Sequence, residues 1–487
     1  MRLDEYVWSR NPRGLHVRQV LVTPLDFSRW SNPRFGWVKL VAAETEYVDD
    51  AVQFLSLGIT PVVRLYVERP GAQGFNSYMR DLTMAYARVG VKWFEFYNEP
   101  NLPIEWPAGT WIDWRNFNGI IRPMMDNWIA WAEFIVSLGC YPGFPALAES
   151  DAPDSGAVGW MDAFLGYLQQ AHFERFGRLL NSGVYCATHP YILNHYYQEI
   201  PGLGPTSARP PEQQNAREGG WHFEYPYDPI CQMTDPGRTV YGGTALTPRG
   251  DPVGLTAMGR MFNERCAAIW GTQAVPVLGT EGGIYPFPKD SDIPYYQQDI
   301  RYPRYTHESQ AEGTVAMFEW ISRSAPPWMF GVCLWKEDDY YLPGTARAIY
   351  RLAETPPILK DVPAVEVMGS GQFNSGPGII QGDPTFHLVI LAPGLQPAWF
   401  FETARAYYNT FRPIVASIWD FIDYIPPDRS LAATVITPPD MADSMREIIQ
   451  RQYPNVLFDL LIASGSASYS SVTDVLNARV WANRRFG

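Results

Sequence analysis

Between residues 14 and 355, apolar strand-like runs alternate with helix-like stretches, and this alternation constrains the fold more than any other feature of the chain. The strand-like runs fall at residues 14–22, 37–42, 60–67, 92–97, 140–147, 184–191, 274–281 and 328–335. Between them, helical periodicity is read over residues 44–57, 76–89, 111–138, 160–180, 257–270, 308–322 and 345–353. Strand–helix alternation implies a parallel sheet with helical crossovers. Eight such units fit a closed (β/α)8 TIM barrel with loop insertions; an open doubly wound sheet is the alternative. In a barrel the active site lies at the C-terminal ends of the strands. The long aromatic loops 198–255 and 284–307 would wall that face.

The texture changes after residue 356. Residues 1–360 are read as the barrel, 361–380 as a Gly-rich linker, and 381–487 as a smaller α/β domain with strands near 386–391, 432–436 and 457–462. Helices are expected there over 400–411, 441–453 and 471–483. The small domain carries no phosphate-binding signature. Gly369-Ser-Gly371 lacks the third glycine of a dinucleotide fingerprint, and Ser464 and Ser466 lack a Gly-x-Ser-x-Gly elbow. Its expected role is structural or interface-forming, with homo-oligomer assembly as one form of that role.

A net charge of −13 without any basic run argues against a nucleic-acid partner, since such affinity rests on cationic patches. No segment approaches the ~20 apolar residues of a membrane span. No signal peptide is visible, which suits a cytoplasmic chain if complete and a secreted one if a leader was removed. The five cysteines are widely spaced without a Cys-x-x-Cys pair, and read as core thiols.

The fourth strand-like run continues into Asn98-Glu99-Pro100. Side chains alternate along a strand, so Trp93, Glu95, Tyr97 and Glu99 are expected on one face, with Glu99 at the rim. The seventh run ends on Glu281, followed by Gly282-Gly283. Strands four and seven face each other across the mouth of an eight-stranded barrel, and two carboxylates there can flank a glycosidic bond.

With these motifs the sequence resembles the clan A (β/α)8 glycoside hydrolases, nearest in look to families 39 and 5. Asn98-Glu99-Pro100 is similar to their acid/base motif and Thr280-Glu281-Gly282 to their nucleophile motif. His189-Pro190-Tyr191 is similar to the His/Tyr pair after strand six, and Trp335 to the tryptophan that floors the sugar site. The resemblance implies a retaining hydrolase that cleaves a β-linked oligosaccharide, polysaccharide or glycoside without a cofactor. It implies Glu281 as nucleophile and Glu99 as acid/base. Glu99 is expected to start protonated, favoured by nearby Glu281 and by the aromatic Trp93 and Tyr97. Asn98 would bond a sugar hydroxyl, Tyr191 would hold Glu281, and Trp335 would stack under the sugar.

His189, His16 and Arg64 complete the expected site, the histidines having core packing as an equal reading. Enzymes of this type carry an arginine near strand two, where this chain has Lys39. Arg64, in strand three, is expected to pair with Glu95 inside the barrel. Trp106 reads equally as packing or a subsite wall, and Glu337-Asp338-Asp339 as a solvated loop run rather than a cation site. A non-catalytic carbohydrate-binding protein on a degenerate hydrolase barrel is the rival, motivated by the displaced arginine.

Overall fold

The computed structural model describes residues 1–18, 24–150, 153–193, 195–203, 208–215, 218–238, 244–248, 252–285, 305–361, 386–425, 431–453, 456–463, 469–481 and 485–486. The chain divides into two compact units, Met1–Val362 and Pro363–Gly487.

The first unit is a closed barrel of eight parallel strands in sequential order. They are β1 (Arg13–His16), β2 (Trp37–Ala42), β3 (Thr60–Leu65), β4 (Trp93–Glu95), β5 (Tyr141–Phe144), β6 (Tyr185–Thr188), β7 (Val277–Gly279) and β8 (Met329–Leu334). Closure is made by β1 on β8, with Arg13 opposite Val332 and Leu15 opposite Leu334. A closed ring leaves no strand edge unpaired. This disposes of the doubly wound alternative.

Pleating sorts the side chains. Trp37, Val62, Trp93, Tyr141, Tyr185, Leu278 and Phe330 form a cluster inside the ring. Val38, Leu40, Val63, Phe94 and Val277 face outward into the larger core shared with the helices. The inner residues are bulky enough to fill the lumen, as a small barrel requires. The base is closed by the N-terminal segment: Trp8 stacks on Phe330 with ring centroids 3.9 Å apart, and Tyr6 lies 4.8 Å from Tyr141. The Trp93 indole donates to the Val7 carbonyl at 2.8 Å. Above this plug, Lys39 and Glu95 form a fully buried ion pair, and the Tyr185 hydroxyl donates to Glu95 at 3.3 Å. A buried pair persists only when its remaining hydrogen-bonding capacity is met.

Local signals act as expected in several elements. Asn76 caps helix Ser77–Arg88, its side chain accepting from the Met79 N–H at 2.9 Å. The helix read at 257–270 is Ala257–Trp270. Elsewhere the boundaries move. The helix read from residue 44 starts at Val48, and the region read as 111–138 divides into a π-helical turn, Phe117–Ile121, and the helix Arg122–Ser137. β1 ends at His16; residues 19–22 of the expected first strand lie outside the described residues. β4 stops at Glu95, so the expected face-sharing ends there. Tyr97 packs with Phe96 in the outer core, its hydroxyl donating to the Gln73 carbonyl at 3.3 Å.

The second unit has a four-stranded parallel sheet in the order β10-β9-β11-β12, where β9 is Phe386–Leu391, β10 Ile414–Ala416, β11 Leu431–Thr437 and β12 Leu457–Ile462. Sequence reading expected about three strands. The missed one, β10, is a three-residue edge strand with too little length for a periodic signal. The single helix expected over 400–411 is two, Pro397–Thr403 and Arg405–Phe411, broken at Ala404. One sheet face buries a polar chain: His387 Nε2 lies 3.0 Å from Thr434 Oγ1, Arg479 donates to the same hydroxyl at 3.0 Å, and Arg479 pairs with Asp459. Residues 362–380 of the expected linker, and Ser464 and Ser466, lie outside the described residues.

Candidate active site

A cavity of about 420 Å³ opens at the C-terminal mouth of the barrel. It is lined by Arg64, Asn98, Glu99, Tyr191, Glu281 and Trp335, which are six of the eight residues expected from sequence. Each comes from or just beyond a different strand or strand end, except Asn98 and Glu99, which are adjacent. The other two, His189 and His16, are buried beneath them at 2% and 1% exposure.

Glu281 is held from several sides. Arg64 Nη1 donates to Oε1 at 3.0 Å, and the Tyr191 hydroxyl donates to Oε2 at 3.0 Å. His16 Nε2 lies 3.7 Å from Oε1, and His189 Nδ1 3.8 Å from Oε2. Burial opposes its charge, but His189 and Arg64 outweigh it and hold the carboxyl far below the usual carboxylate range. Glu281 is therefore an anion at any ordinary pH.

Glu99 contacts the same imidazole. His189 Nδ1 lies 2.8 Å from Glu99 Oε1. Laid end to end, the two contacts of this nitrogen place Glu99 Oε1 and Glu281 Oε2 no more than about 6.6 Å apart. Burial lowers the His189 pKa, yet Glu281 and then Glu99 outweigh it and raise it above the ordinary imidazole value. His16 differs. Burial takes it down to about 3, so it is neutral, with Nδ1 2.5 Å from the Val17 carbonyl and its ring 4.4 Å from that of Trp335.

The backbone carrying Glu281 is shaped by glycine. Gly282 sits at φ +129°, and a Cβ there would meet the Pro190 carbonyl oxygen at 2.5 Å. Only glycine lets this segment run against the end of β6. The Gly283 N–H donates to Pro190 O and the Trp335 N–H to Gly282 O, each at 2.9 Å. The ends of β6, β7 and β8 are thus stitched together at the level of Glu281. The Trp335–Lys336 peptide is cis.

Arg64 does not pair with Glu95. It stands in register with Glu95 on the neighbouring strand, and its long guanidinium reaches up to Glu281. Lys39, in register with Val62 one inward position lower, reaches up to Glu95 instead. The Glu337-Asp338-Asp339 run is not a solvated loop, although Asp338 keeps part of its side chain exposed. It begins the short helix Glu337–Tyr340, and Glu337 and Asp339 are both fully buried. Arg18 grips Glu337 with two hydrogen bonds of 2.9 and 2.8 Å, and Arg29 pairs with it as well. Two arginines brought from elsewhere in sequence make burial possible, which spacing alone could not reveal. Trp106 is packing: it is 4% exposed and its indole donates to the Pro100 carbonyl at 2.7 Å.

Sequence reading missed Glu105. It lines the cavity beside Asn98, and Asn98 Nδ2 donates to its Oε1 at 2.9 Å. Its place six residues past Glu99 was the available signal. Among the described residues the cavity is walled by the segments after strands three and four, with Glu68, Arg69, Pro70 and Ile104, and not by loop 198–255, where Gln198 pairs with Trp221; residues 286–304 of the second loop lie outside the described residues.

No family model and no curated protein matches the chain. Solved structures do. A curdlan-specific exo-β-1,3-glucanase of family GH128 from Blastomyces gilchristii aligns at 13% identity over 71% of this chain and 100% of its own, with a TM-score of 0.33. A broad-specificity GH5-4 endoglucanase from Clostridium longisporum aligns at 10% identity over 72% of this chain and 97% of its own, with a TM-score of 0.32. A GH5-4 endoglucanase from an uncultured bovine rumen ciliate aligns at 10% identity over 71% and 94%, with a TM-score of 0.25.

Proposed function

We propose that this protein is a retaining glycoside hydrolase acting on a β-linked glycan or glycoside. The observation that carries the reading is the single His189 nitrogen within reach of both Glu99 and Glu281 at one cavity in the barrel mouth. Retaining enzymes place their two carboxyl groups ~5–5.5 Å apart, a spacing that the bound of about 6.6 Å between these oxygens accommodates.

Glu281, anionic and oriented by Arg64 and Tyr191, attacks the anomeric carbon. The bond to the leaving oxygen breaks as Glu99 transfers a proton to that oxygen. The resulting glycosyl-enzyme is opened by water, whose proton returns to Glu99 as the carbon–Glu281 bond breaks. Trp335 offers a ring face to the sugar, and Asn98 a polar contact. His189 holds Glu99 through Nδ1. The rival binding-protein reading drew on a displaced arginine, and Arg64 supplies a guanidinium to Glu281 from the next strand.

The test is hydrolysis of aryl β-glycosides by Glu281→Ala and Glu99→Gln. Both are expected to lose at least about a thousandfold in kcat, because Glu281→Ala removes the nucleophile that forms the glycosyl-enzyme and Glu99→Gln removes the proton transfer that both steps need. Retained activity in either variant, or inverted stereochemistry in the first-formed product, would overturn the proposal.

A further inference from the structure

The cavity that holds Glu99 and Glu281 also reaches the segments that follow β3 and β4, where Tyr66, Ile104 and Glu105 line it. Its volume of about 420 Å³ falls in the range of pockets that enclose a whole drug-sized ligand, more than one sugar ring. The two segments are pinned to each other. The Gly71 N–H donates to the Glu105 carbonyl at 2.9 Å, and the Tyr97 hydroxyl donates to the Gln73 carbonyl at 3.3 Å. On this fixed wall Tyr66 is 48% exposed and Ile104 68%. Single exposed apolar side chains are ordinary on a protein surface, but these two face the cavity of the candidate catalytic pair. Glu105 adds a polar group beside them. Its Oε1 accepts from Asn98 Nδ2 at 2.9 Å, while Oε2 has no hydrogen-bond partner among the described residues and keeps accessible surface. Burial raises the Glu105 carboxyl pKa, with the Asn98 N–H and Arg64 pulling it back.

We infer that the wall formed by Tyr66, Ile104 and Glu105 is a second sugar-binding surface, so that the substrate is a β-linked oligosaccharide or polysaccharide that spans at least two rings, rather than one sugar on a small aglycone. The inference rests on the glycosidase reading above and deepens it. A pyranose ring has a C–H face and a rim of hydroxyls. Tyr66 and Ile104 match the face, the aromatic ring with the larger contact area. Glu105 Oε2 matches the rim, since a hydroxyl donating to a carboxylate makes a charge-assisted bond roughly twice as strong as a neutral one. Both parts lie in the same cavity as Glu99 and Glu281, so a ring seated on the wall is joined through the glycan to the ring being cleaved. Its binding then helps to hold the scissile bond at the two carboxyls.

The experiment uses the full chain and two kinds of substrate. The β-glycosyl fluorides of glucose, galactose and xylose carry a single ring and a leaving group too small to reach the wall. The β-1,3- and β-1,4-linked trisaccharides of the same sugars can cover it. The readout is the ratio of kcat/KM for the best trisaccharide to that for the fluoride of the same sugar. Tyr66→Ala is expected to lower this ratio at least about fivefold, and Tyr66→Phe, which keeps the ring face, to hold it within about twofold. Glu105→Gln is expected to lower it at least about tenfold, because its carbonyl still accepts from Asn98 Nδ2 while an amide N–H₂ replaces the open carboxylate oxygen. Fluoride turnover reports in each variant that the candidate catalytic centre is folded. An unchanged ratio in Tyr66→Ala or in Glu105→Gln, or a wild-type chain that hydrolyses a fluoride but no trisaccharide, would overturn the inference while leaving the glycosidase reading in place. Absence of any turnover by the wild-type chain would overturn both.

Discussion

Arg64 on β3 donates to Glu281 beyond β7 at 3.0 Å, so a cation from one side of the barrel mouth fixes a carboxylate on the other. Removing that cation weakens the force that keeps Glu281 charged. Arg64→Met is expected to lower kcat/KM by on the order of a hundredfold, with Arg64→Lys intermediate because it keeps charge but loses the planar fork. The sign of the pH effect follows from the depressed pKa of Glu281. The guanidinium favours the anion, its loss raises that pKa, and the acid limb of the kcat/KM profile moves to higher pH in Arg64→Met. An acid limb that stays put would show that Arg64 does not set the charge of Glu281.

Gly282→Ala tests the stitching of the strand ends. The added methyl group would sit 2.5 Å from a backbone carbonyl oxygen at a φ of +129°. Neither partner can swing away as a flexible side chain would. A loss of about 2–4 kcal/mol is expected in denaturant unfolding, with activity falling in the portion that remains folded. At Gly283 the added atom meets a Leu334 methyl group, which can rotate, so Gly283→Ala is expected to cost less. Equal costs would show that the backbone contact is not the determinant.

Glu337 is fully buried beneath two arginines that are each partly exposed. Glu337→Ala leaves Arg18 and Arg29 facing each other without a counter-charge. Partial exposure lets them recover some hydration, so the expected loss is about 2–3 kcal/mol rather than the larger value for a wholly buried pair. Glu337→Gln keeps the acceptor and is expected to fall between. The check is the shift in unfolding midpoint at constant denaturant slope.

In the second unit, burial holds the His387 pKa down at about 3. The unfolded chain protonates its histidine near pH 6.5, so lowering the pH from there toward 3 favours the unfolded state. By pH 4 the group costs about 3 kcal/mol of stability relative to neutral pH. The stability difference between wild type and His387→Gln is therefore expected to narrow or reverse by that amount on acidification. The difference cancels contributions from other titrating groups, and a value constant across pH 4–7 would refute the assignment.

Much of the barrel was legible because each unit needs its own period. Apolar runs bounded by Gly58, Gly90 and Gly139 gave the strand count, and the count gave Glu99 and Glu281 their places. What escaped were relations that form only when distant segments meet. Pleat parity carries Trp93 and Glu95 inward but fails at Tyr97, where the strand has already ended. The same parity, continued from outward-facing Val277, would turn Glu281 away from the mouth; the strand ends at Gly279, so parity no longer governs Glu281. Arg64 and Lys39 could be placed on inward faces, but which of them met Glu95 depended on height in the barrel, a matter of register. Arg18 and Arg29 lie some three hundred residues from Glu337, and no local signal connects them.

The pairing of β1 with β8 also governs how the chain is made. Arg13 finds its partner only when Val332 exists, roughly 300 residues later. At the usual ~5–20 residues per second of synthesis, β1 waits about a quarter of a minute to a minute with one ladder edge open. During that interval the nascent ring exposes both an unpaired strand and the aromatic rings destined for its lumen. A cell producing this protein has to shelter a long-lived half-barrel, and slowing translation before residue 329 is expected to prolong that exposure and lower the folded yield.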